Sequence, residues 1–302
     1  MEKGFYSNGK LLLSGEYAIL DGALGLAIRT SYGQSLHVTP TKSGFLEWTS
    51  FDENDKVWFS AKFDLTNLNV VSSSDETMAK TLTSLLLEAN VQNPLLLTDS
   101  DGFQVSTHLT FPKSWGLGTS STLINNLAQW ARVDAYQLLW NAFGGSGYDI
   151  ACAQYNSPIT YQLVDGEPKI KEIDFNPIFK DSLYFVHLNQ KQSSKEAIAN
   201  YRKQQFDKSE LVKQVSSITR KMIQTPTLAD FEYLMEEHET LFSHILKIEP
   251  VKQRLFPDYF GMVKSLGAWG GDFVLATGDE KSISYFKSKG YDTVIPYSRM
   301  IL

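Results

Sequence analysis

Three stretches of this 302-residue sequence hold residues that could do chemistry, and each sets them among glycines. Phe111-Pro112-Lys113-Ser114-Trp115-Gly116-Leu117-Gly118-Thr119-Ser120-Ser121-Thr122 offers one lysine, two glycines and a run of hydroxyls. It leads directly into Leu123, Ile124, Leu127, Ala128 and Ala131, apolar residues at helical spacing. A flexible loop entering the first turn of a buried helix is a candidate phosphate cradle. Glycine lets backbone N–H groups turn toward a ligand, and the first turn has N–H groups without intrahelical partners. Thr119, Ser120 and Ser121 can donate to an oxyanion or help hold a metal. An ordinary helix cap is the alternative. The stretch is not a P-loop, because the Gly-Lys-Ser/Thr ending is missing and Lys113 precedes the glycines.

The second stretch is Gly144-Gly145-Ser146-Gly147-Tyr148-Asp149, where the glycines exceed what stopping a helix requires. The surplus points to close backbone approach, with Asp149 as a catalytic or metal-binding candidate or else a helix-capping aspartate. The third is Ser7-Asn8-Gly9-Lys10 with Gly15-Glu16-Tyr17. Lys10 and Glu16 either face a polyanionic ligand or belong to a solvated turn and a capping carboxylate. A further glycine loop, Gly267-Ala268-Trp269-Gly270-Gly271-Asp272, could meet the first across a cleft or serve as a structural turn.

The elements that must position these residues read as an α/β (α+β) chain. Ser7 to Lys10 is expected as the turn of a hairpin or a strand bend. Strands near Leu26–Ile28, Gln34–Val38, Phe45–Trp48 and Val57–Phe63 are expected as successive antiparallel partners, followed by a polar connection from Asn69 to Asp75. Ser74 or Asp75 caps a helix through about Ala89, with Met78, Leu82, Leu85, Leu86 and Ala89 on its apolar face. A strand near Phe103–Leu109 precedes the loop, a helix runs from about Ser120 to Arg132, and Asp134 with Gln137 starts a short helix. Asn176-Pro177 suggests a boundary between residues 1–178 and 179–302. Beyond it come a buried strand near Leu183–Leu188, helices begun by Ser209 and Thr227, a strand at Phe273–Ala276 and a last helix and strand.

Composition narrows the function. A net charge of -6 gives no support for non-specific nucleic-acid binding. The lone Cys152 allows neither an intrachain disulfide nor a cysteine metal cluster, and fits a small core residue. No secretion leader and no apolar run of membrane-spanning length is read, so the expected location is cytoplasmic. His238 and His244 are six residues apart and do not share adjacent helical turns, while His37, His108 and His187 lie in expected strands. None of these histidines suggests a zinc site.

Taken together, three separated segments resemble the GHMP kinase superfamily of galactokinase, homoserine kinase, mevalonate kinase and phosphomevalonate kinase. Asn8-Gly9-Lys10-Leu11-Leu12-Leu13-Ser14-Gly15-Glu16-Tyr17 resembles the opening Pro-Gly-Lys and Gly-Glu-His/Tyr pattern. Pro112 to Ser121 resembles the phosphate loop Pro-x-x-x-Gly-Leu-Gly-Ser-Ser-Ala, and Gly267 to Gly271 resembles the third, glycine-rich motif. The resemblance spans nearly the whole chain. It implies a ribosomal-S5-like N-terminal domain and a ferredoxin-like C-terminal domain, with ATP, Mg²⁺ and a small anionic acceptor bound between them. It further implies that Lys113, Gly116, Leu117, Gly118, Thr119, Ser120 and Ser121 surround the nucleotide phosphates, with the Ser120 hydroxyl on magnesium. Ser146-Gly147-Tyr148-Asp149 matches the context of the catalytic aspartate in the mevalonate and phosphomevalonate branches, and Lys10 matches the lysine beside it.

Those branches belong to isoprenoid biosynthesis, and they imply phosphomevalonate or mevalonate as acceptor in a monomer or homodimer. Glu16, Tyr17, Gly267 and Ala268 fall on the substrate side. Lys191, Ser193, Ser194 and Lys195 form an anion-holding patch or a hydrated cap at the start of a helix. Several positions depart from the pattern. Asn8 replaces proline, Thr119 serine and Ser121 alanine. Leu138 stands where mevalonate kinases commonly supply a magnesium-binding glutamate. Trp269 puts a bulky ring where the third motif has glycine, narrowing a ligand pocket, and Asp272 follows it. These departures motivate the alternative of a nucleotide- or metabolite-binding protein that kept the fold and lost transfer.

Overall fold

The structure, a computed structural model, describes residues 2–190, 193–269 and 271–302. The chain packs into two compact units that do not follow its linear order. One comprises Met1–Gly9, Tyr32–Lys113 and Leu117–Gln154, the other Lys10–Ser31, Ser114–Gly116 and Tyr155–Leu302. Residues 155–178, which the sequence reading groups with the N-terminal half, therefore cluster with the second unit.

In the first unit, β1 (Lys3–Ser14) and β2 (Gly25–Pro40) each contribute one end. β3 (Phe45–Phe51), β4 (Val57–Asp64), β5 (Val70–Ser73), α1 (Glu76–Gln92) and β6 (Phe103–Leu109) follow. Then come α2 (Thr119–Ala131), α3 (Ala135–Ala142) and α4 (Tyr148–Gln154). The strand order is β5-β4-β3-β6-β2. Alternation sets the faces: in β3, Leu46, Trp48 and Ser50 point inward while Glu47 and Thr49 are partly exposed. Trp48, Phe63 and Phe103 pack with Leu82, Leu86, Ile124, Leu127 and Leu138 into one core.

The second unit takes Lys10–Ser14 of β1, a 3₁₀ turn at Ala18–Asp21 and Gly25–Ser31 of β2. It adds β7 (Ile159–Val164), β8 (Glu167–Glu172), β9 (Leu183–His187), α5 (Ser194–Arg202), α6 (Lys208–Gln224) and α7 (Leu228–Leu246). α8 (Val251–Leu255), β10 (Val263–Ser265), β11 (Phe273–Thr277), α9 (Lys281–Ser288), β12 (Val294–Pro296) and α10 (Tyr297–Met300) complete it. The four strands β10-β11-β9-β12 form an antiparallel sheet in which Phe185 pairs with Leu275 on one side and Ile295 on the other. β9 and β11 are buried throughout and correspondingly apolar.

Several helix starts follow the expected caps. Asp75 accepts from Thr77 N and Met78 N, Asp134 from Tyr136 N and Gln137 N, and Thr227 from Asp230 N. Other expectations are corrected. Ser7 to Lys10 is no turn but the middle of a continuous β1, because the buried Ser7 hydroxyl is satisfied by two asparagines of α2. Leu26–Ile28 and Gln34–Val38 belong to the single strand β2. β3 pairs with β4 antiparallel but with β6 in parallel. β5 lies inside the expected polar connection, α6 is capped by Asp207 and not by Ser209, and Ala79 takes the buried position assigned to the exposed Met78.

Candidate active site

The two units carry different parts of the candidate machinery. In the first, Gly118 stands at the N-cap of α2 with a left-handed backbone (φ 99), and Thr122 N closes the first intrahelical bond onto its carbonyl at 3.0 Å. The N–H groups of Thr119, Ser120 and Ser121 thus fall in the turn that has no intrahelical acceptors. The hydroxyls divide. Ser121 Oγ donates to Gly118 O at 2.9 Å, and Thr122 Oγ1 turns inward to Gln34 Oε1 at 2.8 Å. Ser120 is exposed and Thr119 half-buried, so these two remain on the open side of the turn. Leu117 is fully buried and anchors the loop, whereas Lys113 is exposed with its ammonium 4.1 Å above the Trp58 ring.

Asp149 is half-buried in the first turn of α4, after three left-handed glycines, Gly144, Gly145 and Gly147. A buried polar network ties this helix to the loop helix. Asn125 of α2 donates to Ser7 Oγ at 2.8 Å and to Ala153 O of α4 at 3.2 Å. Asn126 accepts from Ser7 Oγ at 2.7 Å and donates to Gln34 O at 2.8 Å. The helix that begins at the loop and the helix that carries Asp149 are therefore linked by side chains with partners at every step. Leu138 is fully buried in the core, so that position faces hydrophobic packing and supplies no metal ligand.

In the second unit, Lys10 Nζ donates to Gly116 O at 3.4 Å, and the Asp272 carboxylate lies so close to Gly116 that a Cβ there would overlap it. The first glycine of the loop is thus held between a lysine and a carboxylate, a place only glycine can occupy. Glu16 does not sit at a surface. It is 1% exposed, with Lys264 Nζ 2.5 Å from Oε1 and His238 Nε2 3.0 Å from Oε2. Burial pushes its carboxyl up, but the Lys264 ammonium and His238 outweigh that and bring it down to about 2. Burial, then the Lys264 charge, lowers the His238 pKa below its ordinary value, opposed by Glu16.

Tyr17 is buried and stacks on Tyr201 with ring centroids 5.2 Å apart. Gly267 is left-handed, Ala268 is buried, and Trp269 turns its ring into the cluster of Tyr17, Tyr201 and Phe242 with only 3% exposure. The bulk expected to narrow a pocket is instead part of the core of this unit. Ser193 caps α5 by accepting from Glu196 N at 3.3 Å, and Lys195 is exposed one residue into the helix. Lys191 lies outside the described residues, and Ser194 is described only as the first backbone position of α5.

Sequence reasoning missed Lys264, His238 and Glu239 as a buried set with Glu16. The available signal was Lys264 itself, a lone cation in the apolar run Gly261 to Leu266 next to the third motif. It also missed Asn125 and Asn126, two amides on the buried face of an apolar helix. Among the described residues no group of three His, Cys, Asp or Glu side chains could hold a metal, and no helix is long and apolar enough to cross a membrane.

No protein-family model and no curated protein matches the sequence. Solved structures do match in fold. Mevalonate kinase from Methanococcus jannaschii superposes with a TM-score of 0.71 at 18% identity, over 97% of this chain and 96% of that one. Phosphomevalonate kinase from Streptococcus pneumoniae, in complex with phosphomevalonate and AMPPNP, gives 0.69 at 14% identity over 95% of both chains. Galactokinase from Lactococcus lactis, complexed with galactose, gives 0.65 at 12% identity over 95% of this chain and 88% of its own. The chain has the mixed α/β fold of the GHMP kinases over nearly its full length.

Proposed function

We propose that this protein, having that fold, is an ATP-dependent kinase of a small anionic metabolite, with phosphomevalonate or mevalonate as the favoured acceptor. The observation that carries the reading is the loop from Gly116 to Ser121. It keeps the first-turn N–H groups of Thr119, Ser120 and Ser121 and the Thr119 and Ser120 hydroxyls on the open side of α2, while the Ser121 hydroxyl is bound to Gly118 O. That donor set fits nucleotide phosphates, and Ser120 would help hold a magnesium ion bound chiefly by them. Magnesium, when bound, supplies neutralisation of the charge spread over the phosphoryl oxygens.

The residues of the chain then have separate tasks. Backbone N–H groups of Thr119, Ser120 and Ser121 hold phosphate oxygens in place. Asp149 orients the acceptor oxygen or takes its proton, and Lys10 favours the anionic form of the acceptor. Lys195, with Lys191, is proposed to hold the acceptor's carboxylate or phosphate. These roles rest on the motif matches. Glu16 and Tyr17, being buried, are assigned to shaping the acceptor side and not to touching the acceptor.

A second reading has its own support. Leu138 is a core residue where mevalonate kinases commonly have a carboxylate, and Asp272 sets a negative charge against Gly116. Both favour a nucleotide or metabolite binder without transfer. One assay separates the readings: ATP-to-ADP conversion with Mg²⁺ against mevalonate, phosphomevalonate, homoserine and galactose, with mass detection of the product. A phosphorylated acceptor that disappears in Asp149→Asn is expected. ATP binding with no product from any acceptor would favour the second reading.

A further inference from the structure

Four ionisable side chains meet in the interior of the second unit, and none of them touches the acceptor or the phosphates in the reading above. Glu16 is 1% exposed, and Lys264, His238 and Glu239 are completely buried. Lys264 Nζ is 2.5 Å from Glu16 Oε1 and also donates to Ser265 O at 2.9 Å. His238 Nε2 reaches Glu16 Oε2 at 3.0 Å. Next to it on α7, Glu239 accepts from Ser265 N at 2.9 Å, Ser265 Oγ at 3.3 Å and Val251 N at 3.4 Å. We propose that Glu16 and Lys264 are positioning residues for phosphoryl transfer, a buried pair that fixes the segment carrying Lys10 against the segment carrying Asp272.

The argument begins with what these groups do not supply. A buried ion pair exchanged for apolar residues of similar volume commonly leaves stability unchanged or improved, so burial of this pair is weak evidence for a stabilising role. What such a pair does supply is one geometry, because both charges need their partners in place. Here it joins two particular segments. Residues 10–16 leave the pair toward Lys10, and residues 264–272 leave it toward Asp272. Their far ends meet again at Gly116, whose carbonyl accepts from Lys10 and whose α-carbon lies against the Asp272 carboxylate. The two segments are thus held at both ends.

The backbone at the pair is also unusually constrained. Tyr17, directly after Glu16, has φ 56, and Trp269 and Asp272, beyond Lys264, have φ 54 and 45. Non-glycine residues persist in the left-handed region only where the surroundings over-determine them. On the other side of Glu16, a Cβ at Gly15 would lie 2.8 Å from the Gly25 α-carbon. Among the described residues β10 pairs with β11 alone, and Ser265 N on it donates to the Glu239 carboxyl, so a side chain stands where a neighbouring strand would.

The proposal rests on the kinase reading for its activity readout, and a second readout stands apart from it. The variants are Glu16→Gln, Lys264→Met and the double variant Glu16→Gln/Lys264→Met. They are followed by melting temperature, by kcat and KM, and by amide hydrogen exchange over residues 10–17 and 263–272. Each single change is expected to lower the melting temperature, since it leaves the remaining charge or amide mismatched. The double change is expected to regain most of the loss. Its kcat should nevertheless stay about tenfold or more below that of the unaltered protein, with KM for ATP within about twofold, because misplaced groups act on turnover. Exchange should rise in both segments together. A double variant with unaltered kcat and unaltered exchange would overturn the proposal. Should the single variants fail to fold, the double variant carries the test. Should the unaltered protein phosphorylate no acceptor, the kinase reading fails by itself. Exchange then decides the positioning claim: a joint rise in both segments supports it, and a rise in neither or only one sinks it.

Discussion

Glu239 shows how much a single buried carboxyl can govern. Burial, opposed by the Lys264 charge, pushes it from an ordinary 4.5 up to about 7. The native state therefore keeps a proton that the unfolded chain releases, and the contribution of this group falls as pH rises from about 4.5 to about 7. Glu16 works in the opposite direction, since its pKa is lowered to about 2 on folding: its contribution is present above about 4.5 and lost as pH falls toward 2. The two carboxyls together are thus most favourable near about pH 5, whereas His238, whose pKa burial lowers from 6.5, opposes them by costing stability as pH falls below that value. The Glu239 contribution to thermal melts should therefore appear as a declining limb above about pH 6.5, worth on the order of 3 kcal/mol at most. Glu239→Gln, neutral throughout, should flatten that limb and leave the acid limb in place. Trp269 poses a different question, because its ring fills the core while its buried Nε1 has no hydrogen-bond partner among the described residues. Trp269→Gly should destabilise by about 2–4 kcal/mol in urea melts, the cavity outweighing relief of the left-handed backbone. Trp269→Phe should lose less, since it keeps most of the ring and removes the orphaned donor.

Among the elements, helix starts were the most legible part of the sequence. A carboxylate or hydroxyl facing N–H groups two or three residues onward is a local device, and Asp75, Asp134 and Thr227 each act as their spacing suggests. Asp75→Ala should therefore cost about 1 kcal/mol in chemical denaturation. Strand readings failed where the deciding partner is far along the chain. Ser7, Asn8 and Gly9 have the local composition of a turn, yet Asn125 and Asn126 satisfy the Ser7 hydroxyl and allow β1 to run straight. The parallel pairing of β3 with β6 was hidden in the same way, since nothing in either segment names its neighbour. The candidate phosphate loop could be read because glycines and hydroxyls act there through local backbone. The ionic cluster around Glu16 could not, because Glu16 lies more than two hundred residues from its partners. Asn125 tests the element-level coupling. Asn125→Ala leaves the Ala153 carbonyl without this donor and should destabilise by about 1–3 kcal/mol. Hydrogen exchange should show the added opening concentrated in α4, the helix that carries Asp149; a uniform increase would mean that the link between α2 and α4 carries no specific coupling.

At the scale of the whole molecule, the path of the chain governs what can fold alone. Each unit is assembled from three separate segments, so no single cut yields a complete one. A fragment of residues 155–302 would lack Lys10–Ser31 and Ser114–Gly116, which belong to its own unit. β7 would lose Gly25–Ala27 of β2, its register partner from Ile159 to Tyr161. Lys264 would lose Glu16 and remain as a buried ammonium without its counter-charge, a strongly destabilising situation. The aromatic cluster would lose Tyr17, which stacks on Tyr201, and Asp21, which accepts from Tyr201 at 2.6 Å and Arg202 at 2.5 Å. Cutting near residue 178 removes β7 and β8 as well. Both fragments, 155–302 and 179–302, should therefore lack a cooperative thermal transition and dispersed amide resonances. Adding a peptide of residues 10–31 to the 155–302 fragment should restore part of that dispersion, because it returns Glu16, Tyr17, Asp21 and the β2 edge together. If the isolated 179–302 fragment melted cooperatively, the second unit would not depend on the early strands, and a boundary near residue 178 would be the physical one.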